Sequence, residues 1–404
     1  MPKTETGEHR LAHAKVGGAV LSGADRLAAS AASYLEGKRF GLLTNPTGMT
    51  RDFRSTIDVC AELGSAKLTA LFACEHGIRG ERQAGLLFED ETDPALGIPV
   101  FSLYGKHRAP TADMLEAVDA VVFDIQDLGV RFYTYLTTLV YTMQACAKAG
   151  KELIVLDRPN PLGGVAVEGG LLRDGYQSMV GVWQVPFRTG MTIGEFARLV
   201  NDQSEPKCRL QVVPLEGWSR RMEYPETGLP WMMPSPNMPT MDTVRVYSGT
   251  CLFEGTNLSE GRGTTKPFEM IGAPWLDGKA TADALNRRGL PGVVFHPVYF
   301  TPMFSKQKGE LCSGIQVYVT DPQAYRAVRT GLYMLEQIQK MHPDQFQWLP
   351  PYKEGGKTFI DLLSGGDRVR LTLHEPGAAE RIADDWDREA AEWAKTREAY
   401  LLYE

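Results

Sequence analysis

Short apolar runs that are typical of buried strands alternate with helix-like segments over the first half of the chain. Residues 39–45 form such a run, an amphipathic segment follows at 55–63, and 67–73 repeats the strand pattern. Further strands are predicted at 100–104, 120–125, 153–156 and 210–215, and further helices at 111–118, 134–149 and from Thr192 onward. This alternation predicts a Rossmann-like α/β fold, a mostly parallel sheet with helices on both faces.

The length of 404 residues predicts more than one domain. We expect a polar leader over residues 1–30 and the Rossmann-like catalytic domain over 31–245. A proline-rich stretch at 229–240 fits neither a helix nor a central strand, and it marks the crossing to a smaller α+β domain at 246–404. Predicted strands at 293–300 and 314–319 and predicted helices at 322–341 and 386–400 belong to that second domain.

The charge balance argues against a nucleic-acid partner. There are 43 basic and 50 acidic residues, a net charge of −7, and no extended basic run. No stretch approaches the ~20 apolar residues of a membrane span. We therefore expect a soluble cytoplasmic protein, or a periplasmic or secreted one if a signal was removed. Six scattered cysteines fit buried free thiols better than a zinc site or a disulfide framework.

Polar, turn-forming residues follow the predicted strands. Asn45, Glu75 with His76, and Asp124 with Asp127 each stand where an apolar run ends. Ligands of parallel sheets bind beyond the carboxyl ends of the strands. The pattern therefore predicts that Glu75, His76, Asp124 and Asp127 lie near a common cleft.

Sequence motifs for cofactor and metal chemistry are missing. The turn after the first strand has no GxGxxG pattern, and the run around Lys266 does not meet the P-loop spacing. Neither GxSxG nor HExxH occurs, so serine-hydrolase and zinc-peptidase chemistry are disfavoured. We expect no cofactor and no metal, which leaves carboxylate chemistry.

Glu75 is the best candidate for a general acid, because partial burial after a strand would raise its pKa and His76 could orient it. An ion pair with Arg79 is the structural alternative. Asp124 or Asp127 could act as the partner carboxylate, and we favour Asp124 for the chemistry and Asp127 for support of the loop and an arginine. The structural alternative is an Asp–Arg pair that fixes the loop.

A second glycine-rich, charged run spans residues 254–267. Glu254 and Glu260 either contact substrate or pair with Arg262 or Lys266. Tyr133 is a candidate for an aromatic floor under a sugar ring.

Six segments together resemble the exo-β-N-acetylmuramidase family of bacterial cell-wall glycosidases, glycoside hydrolase family 171. The matching segments are residues 42–48, 75–80, 123–135, 156–164, 234–240 and 257–269. The resemblance implies release of terminal N-acetylmuramic acid from the non-reducing end of peptidoglycan-derived muropeptides or disaccharides, in a cleft between a Rossmann-like domain and a smaller one. Cys74, where relatives are expected to have proline, departs from the pattern. Asn45, Asn237 and Lys266 lie within these segments and join the expected substrate-binding residues.

The lactyl carboxylate distinguishes N-acetylmuramic acid from its neighbour in the wall, so its recognition requires a cation in the cleft. Arg131 is the first candidate, Arg262 the second and Arg79 the third. The two carboxyl groups could support a retaining, acetamido-assisted route or an inverting one. A non-catalytic muropeptide-binding protein is the rival hypothesis, and an amidase acting on the lactyl-peptide junction is a third.

Overall fold

The computed structural model describes residues 20–30, 32–80 and 87–404. Its larger domain is built on a seven-stranded sheet. The strands are β1 (Arg39–Thr44), β2 (Lys67–Ala73), β3 (Glu91–Thr92), β4 (Pro99–Ser102), β5 (Ala120–Asp124), β6 (Glu152–Leu156) and β7 (Arg209–Val213). Their order is β3-β4-β2-β1-β5-β6-β7, and every neighbouring pair is parallel except β3 with β4. The predicted parallel sheet is confirmed.

Helices cover both faces of this sheet. They are α1 (Gly23–Ser30), α2 (Ala32–Leu35), α3 (Thr56–Ala61), α4 (Ala112–Glu116), α5 (Thr134–Ala149) and α6 (Ile193–Asp202). Successive strand side chains point to opposite faces, so Phe123 packs in the core with α5 and α6, whereas Val122 packs in the core with α1. Thr192 and Glu195 form the capping box that the sequence predicts at the start of α6.

The smaller domain is α+β, as predicted. Its antiparallel sheet has the order β8-β10-β9. The elements are α7 (Met241–Thr250), β8 (Met270–Ala273), α8 (Gly278–Arg287), β9 (Val293–Phe300), β10 (Cys312–Val319), α9 (Ala327–Met341), α10 (Phe359–Ser364), α11 (Arg368–Thr372) and α12 (Ala378–Arg397). Within the described residues, short 3₁₀ helices lie at Tyr224–Thr227, Cys251–Gly255 and Glu398–Tyr400.

The structure corrects two expectations about element positions. Residues 20–30, assigned to a polar leader, contain α1, whose Ala24 and Leu27 are buried; residues 1–19 lie outside the described part of the chain. The helix predicted at 322–341 begins at Ala327, because Asp321 accepts the Gln323 amide in a preceding turn. The boundary expected at 245/246 falls within α7, and the domain limits stay a prediction.

All six cysteines are buried free thiols. In the part of the chain that the structure describes, none of the helices combines the length and apolar composition that a transmembrane span requires.

Candidate active site

A cavity of about 460 Å³ lies between the two domains, beyond the carboxyl end of β2. The large domain contributes the turn after β2 and the start of α5, and the small domain contributes the 3₁₀ helix at Cys251–Gly255 and the loop that follows it. Seven of the thirteen candidate site residues line this cavity: Glu75, His76, Tyr133, Asn237, Glu254, Glu260 and Arg262.

The Thr134 hydroxyl holds Glu75 at the cavity wall by donating to its Oε2 at 2.9 Å. Thr134 is the first residue of the 16-residue helix α5, so Glu75 lies at the positive end of a helix dipole. Tyr104 also lines the cavity, and burial together with the neighbouring Glu75 charge raises the pKa of its phenol to about 12. The Thr134 contact and the helix N-terminus together fix the carboxylate at the cavity wall.

His76 occupies a backbone position that normally takes glycine. Its φ is +75°, in a four-residue turn that the Gly77 amide closes on the Cys74 carbonyl at 3.1 Å. A non-glycine residue in this region costs free energy and is typical of functional sites. The turn places the buried imidazole beside Glu75 on the cavity wall.

Four charged side chains form a cluster on the small-domain wall. Arg262 donates from Nε to Glu254 at 3.0 Å and also from Nη2, and its Nε lies 3.3 Å from Glu260. Lys306 Nζ lies 2.8 Å from the other Glu260 oxygen. Burial opposes the charge of Arg262, but the two carboxylates outweigh it and raise the pKa of that guanidinium. The Phe268 ring supports its other face, with the guanidinium carbon 5.0 Å from the ring centroid.

The glycine-rich run lets this cluster form. Gly263 has φ +81°, and a Cβ there would lie 2.6 Å from the Phe304 nitrogen. The loop that contains Phe304 can therefore pack directly on the run, which brings Lys306 to Glu260. Lys306 also donates to the Phe253 carbonyl at 2.6 Å and the Thr256 carbonyl at 2.8 Å.

Sequence reasoning missed Lys306, Tyr104 and Thr134. Lys306 stands in an ordinary polar loop, and no local signal marks it. Tyr104 ends a predicted strand, and Thr134 begins a predicted helix within one of the segments that match the family. These positions at a strand end and a helix start could have identified both residues as site candidates.

Asp124 is not in the cavity. It is fully buried and forms a two-pronged ion pair with Arg158, with Oδ1 2.7 Å from Nε and Oδ2 2.9 Å from Nη2. The Thr56 hydroxyl donates to Oδ2 at 2.6 Å. The structural alternative, an Asp–Arg pair that fixes a loop, therefore applies to Asp124. Its arginine is Arg158.

Asp127 is buried and does not line the cavity either. Its Oδ2 accepts the Gly129 amide at 2.6 Å, and burial raises the pKa of the carboxyl to about 7. Within the described ranges, its Oδ1 has no hydrogen-bond partner. Asp127 therefore shapes the loop before α5 and does not face the cavity.

The Arg131 guanidinium donates to backbone carbonyls, so we exclude Arg131 from the substrate-binding residues. Nη1 donates to the carbonyls of Gly170 and Val185 at 2.7 and 2.8 Å, and Nη2 donates to Leu363 at 3.0 Å. Burial lowers its pKa to about 9, and its guanidinium stacks on Phe187. Arg131 thus ties the large domain to α10 of the small one.

Three further candidates lie outside the cavity and have protein partners. Arg79 pairs with Asp93 at 2.7 Å, and Lys266 pairs with Glu269 at 2.9 Å. The Asn45 side-chain oxygen accepts the Thr47 amide at 2.9 Å. The described residues contain no group of three or more His, Cys, Asp or Glu side chains arranged to hold a metal ion.

Two family models match almost the whole described chain. The N-terminal model of the exo-β-N-acetylmuramidase NamZ matches residues 40–242, and the C-terminal model matches 245–403. The chain belongs to the NamZ exo-β-N-acetylmuramidase family. The matched regions meet at α7, so the NamZ N-terminal part supplies Glu75 and His76, and the C-terminal part supplies Glu254, Glu260, Arg262 and Lys306.

The chain is also similar to individual proteins. The peptidoglycan β-N-acetylmuramidase NamZ of Bacillus subtilis (strain 168) is 44% identical over 384 residues, which are 95% of this chain and 91% of that protein. Two crystal structures of DUF1343 family proteins from Bacteroides fragilis NCTC 9343 each match over 95% of this chain and 99% of their own. They have TM-scores of 0.88 and 0.75 at 36% and 30% identity.

Proposed function

We propose that this protein is an exo-acting glycosidase that releases terminal N-acetylmuramic acid from the non-reducing end of peptidoglycan fragments. Its similarity to the B. subtilis peptidoglycan β-N-acetylmuramidase supports the reaction and the substrate class. The observation that carries the assignment is Glu75, a carboxylate that accepts a hydrogen bond from Thr134 on the wall of a cavity large enough for a sugar.

Glu75 is the proposed reacting carboxylate. As a general acid it delivers a proton to the glycosidic oxygen, and His76 beside it orients that transfer or resupplies the proton. The Thr134 hydroxyl and the helix N-terminus also suit an ionised Glu75, which would act as a base or nucleophile. The pH profile separates these roles, since loss of an acid removes the alkaline limb and loss of a base removes the acidic limb.

The partner carboxylate belongs, in this proposal, to the small domain. Asp124 is paired with Arg158 and Asp127 does not line the cavity, whereas Glu254 and Glu260 line it beside Arg262. Glu254 is the more accessible of the two, with 15% of its side chain exposed against 2% for Glu260. Glu254 could orient the substrate acetamido group or a water molecule; the two routes differ in the anomer released.

Arg262 is the proposed receptor for the lactyl carboxylate. Its Nε and Nη2 are engaged by protein carboxylates, but Nη1 has no hydrogen-bond partner among the described residues. Arg131 donates all of its Nη contacts to carbonyls instead. A charge-assisted contact of this kind is worth about 1.5–3 kcal/mol, or roughly ten- to a hundred-fold in discrimination.

The first experiment measures turnover of an aryl N-acetylmuraminide. Glu75→Gln should lower kcat about 10²- to 10⁴-fold with an unchanged melting temperature. Glu116→Gln, an exposed position on α4, is the matched control. Saturable binding without turnover by the wild type would refute the enzyme, and peptide release with the sugars still linked would indicate an amidase.

A second experiment compares muramyl and glucosaminyl aryl glycosides. Arg262→Ala should reduce the preference for the muramyl substrate about ten- to a hundred-fold, and Arg79→Ala, outside the cavity, should leave it unchanged. If Arg262→Ala keeps the wild-type ratio of kcat/KM for the two glycosides, Arg262 is not the receptor for the lactyl carboxylate.

The compartment is a further part of the proposal. A reducing compartment fits six buried free thiols, as the cytoplasmic expectation requires. Fractionation of cells expressing the chain tests this location against a periplasmic or secreted one.

A further inference from the structure

Tyr352 is an exposed aromatic side chain at the mouth of the cavity. It is 78% exposed, yet it is one of the residues that line the cavity together with Glu254, Glu260 and Arg262. Its ring meets the Phe359 ring edge to face, with centroids 5.7 Å apart. Partial burial and the neighbouring charges of Glu254 and Glu260 raise the pKa of the phenol, consistent with a location beside the acidic cluster.

The segment that carries Tyr352 is hydrogen-bonded to the part of the small domain that follows Glu254. Leu349 donates its amide to the Gly255 carbonyl at 2.9 Å, and Trp348 forms an antiparallel bridge with Thr256. Two prolines, 350 and 351, then connect this anchored strand to Tyr352. Because proline fixes φ, the connection is stiff, and the ring is held at a set position relative to Glu254.

An exo-acting site needs two kinds of space. The terminal sugar enters the cavity, whose volume lies at the lower end of the range for ligand pockets. The next sugar of the fragment must then lie outside it, at the mouth. Aromatic rings present a flat apolar face, and the axial C–H groups of an amino sugar present a matching one, so an exposed ring here offers a stacking surface.

We propose that Tyr352 is the stacking platform for the second sugar of the fragment, the N-acetylglucosamine-type residue that departs when the bond is cleaved. The proposal rests on the function proposed above and extends it from the terminal sugar to the leaving group. Tyr352 takes no part in proton transfer and acts by positioning the leaving sugar.

The test compares a disaccharide of N-acetylmuramic acid and N-acetylglucosamine with free N-acetylmuramic acid as an inhibitor. Tyr352→Ala should raise KM for the disaccharide about ten-fold, the size of one aromatic stacking contact, with kcat changed less than about two-fold. The inhibition constant of free N-acetylmuramic acid should stay within about two-fold, because that sugar occupies the cavity alone. Tyr352→Phe keeps the ring and should behave as wild type.

Tyr299→Ala is the matched control, since Tyr299 is 73% exposed on β9 and does not line the cavity. An unchanged disaccharide KM in Tyr352→Ala overturns the platform. If Tyr352→Ala weakens the binding of the disaccharide and of free N-acetylmuramic acid equally, the ring contacts the first sugar, and the platform proposal is wrong. A loss seen only with substrates that carry a stem peptide assigns it to the peptide and overturns it as well.

Failure of the proposed function would be distinct. If the wild type released no sugar, disaccharide binding measured by calorimetry would still test the ring. Weaker binding by Tyr352→Ala, but not by Tyr299→Ala, would then support the platform, and equal binding would refute it.

Discussion

Asp124→Asn should unfold this protein more readily without slowing its chemistry. The substitution keeps the shape of the side chain and replaces one carboxylate oxygen with an NH₂ group. In the wild type both oxygens accept from Arg158, at 2.7 and 2.9 Å, and one also accepts from Thr56. The NH₂ group of the introduced asparagine would therefore face an N–H donor of Arg158, and the buried guanidinium would lose its counter-charge.

The expected loss follows from the burial of both partners. The Asp124 side chain is inaccessible and that of Arg158 is 5% exposed. Removing one partner of a buried ion pair costs about 3–5 kcal/mol, because the remaining charge stays buried and uncompensated. For a large domain this corresponds to a fall in melting temperature on the order of 10 °C.

Thermal unfolding and turnover at 25 °C test this expectation together. Asp119→Asn is the control, because Asp119 pairs with Arg39 in similar geometry but both side chains are about half exposed. Exposed pairs contribute little, so its loss should be far smaller. A wild-type melting temperature in Asp124→Asn with kcat reduced a hundred-fold would refute the structural role and return Asp124 to the reaction.

Three further predictions concern the neighbours of the cavity. Tyr104→Phe removes the hydroxyl of a cavity-lining phenol whose pKa is raised by the Glu75 charge, and it should lower kcat about ten-fold with KM unchanged, which steady-state kinetics can check. Arg131→Met should lower the melting temperature while keeping the muramyl preference, because its partners are carbonyls of both domains; a lost preference would contradict this. The folded-state pKa of Asp127, about 7, lies above the ordinary value of 3.8, so the folded state binds this proton more tightly. Its contribution to stability is therefore present at low pH and is lost as pH rises to about 7, and Asp127→Asn should flatten urea-unfolding stability over pH 4–7.

Local sequence patterns were sufficient to predict the sheet and much of its surroundings. Apolar runs and helical periodicity reflect which face of each element is buried, and that information is local. The same holds for the capping box of Thr192 and Glu195, whose partners are three residues apart. The start of α9 was misplaced because a turn at Asp321 competes with the helix, and residue periodicity does not register that competition.

For the site, the sequence by itself determined the chemistry that each strand end and the glycine-rich run could offer. It singled out Glu75 with His76, and Glu254 with Arg262, which the fold brings to one cavity. It did not separate them from Asp124, which has the same type of side chain at an equivalent strand end.

Only the tertiary structure decided which charged side chains face the cavity and which are engaged by other groups of the protein. Asp124 meets Arg158 across 34 residues, and Arg131 reaches the Leu363 carbonyl across 232. Lys306 comes to Glu260 from a loop after β9. The role of a charged group depends on its burial and on the partner that neutralises it. Both are set by the packing of distant segments, so no local pattern encodes them.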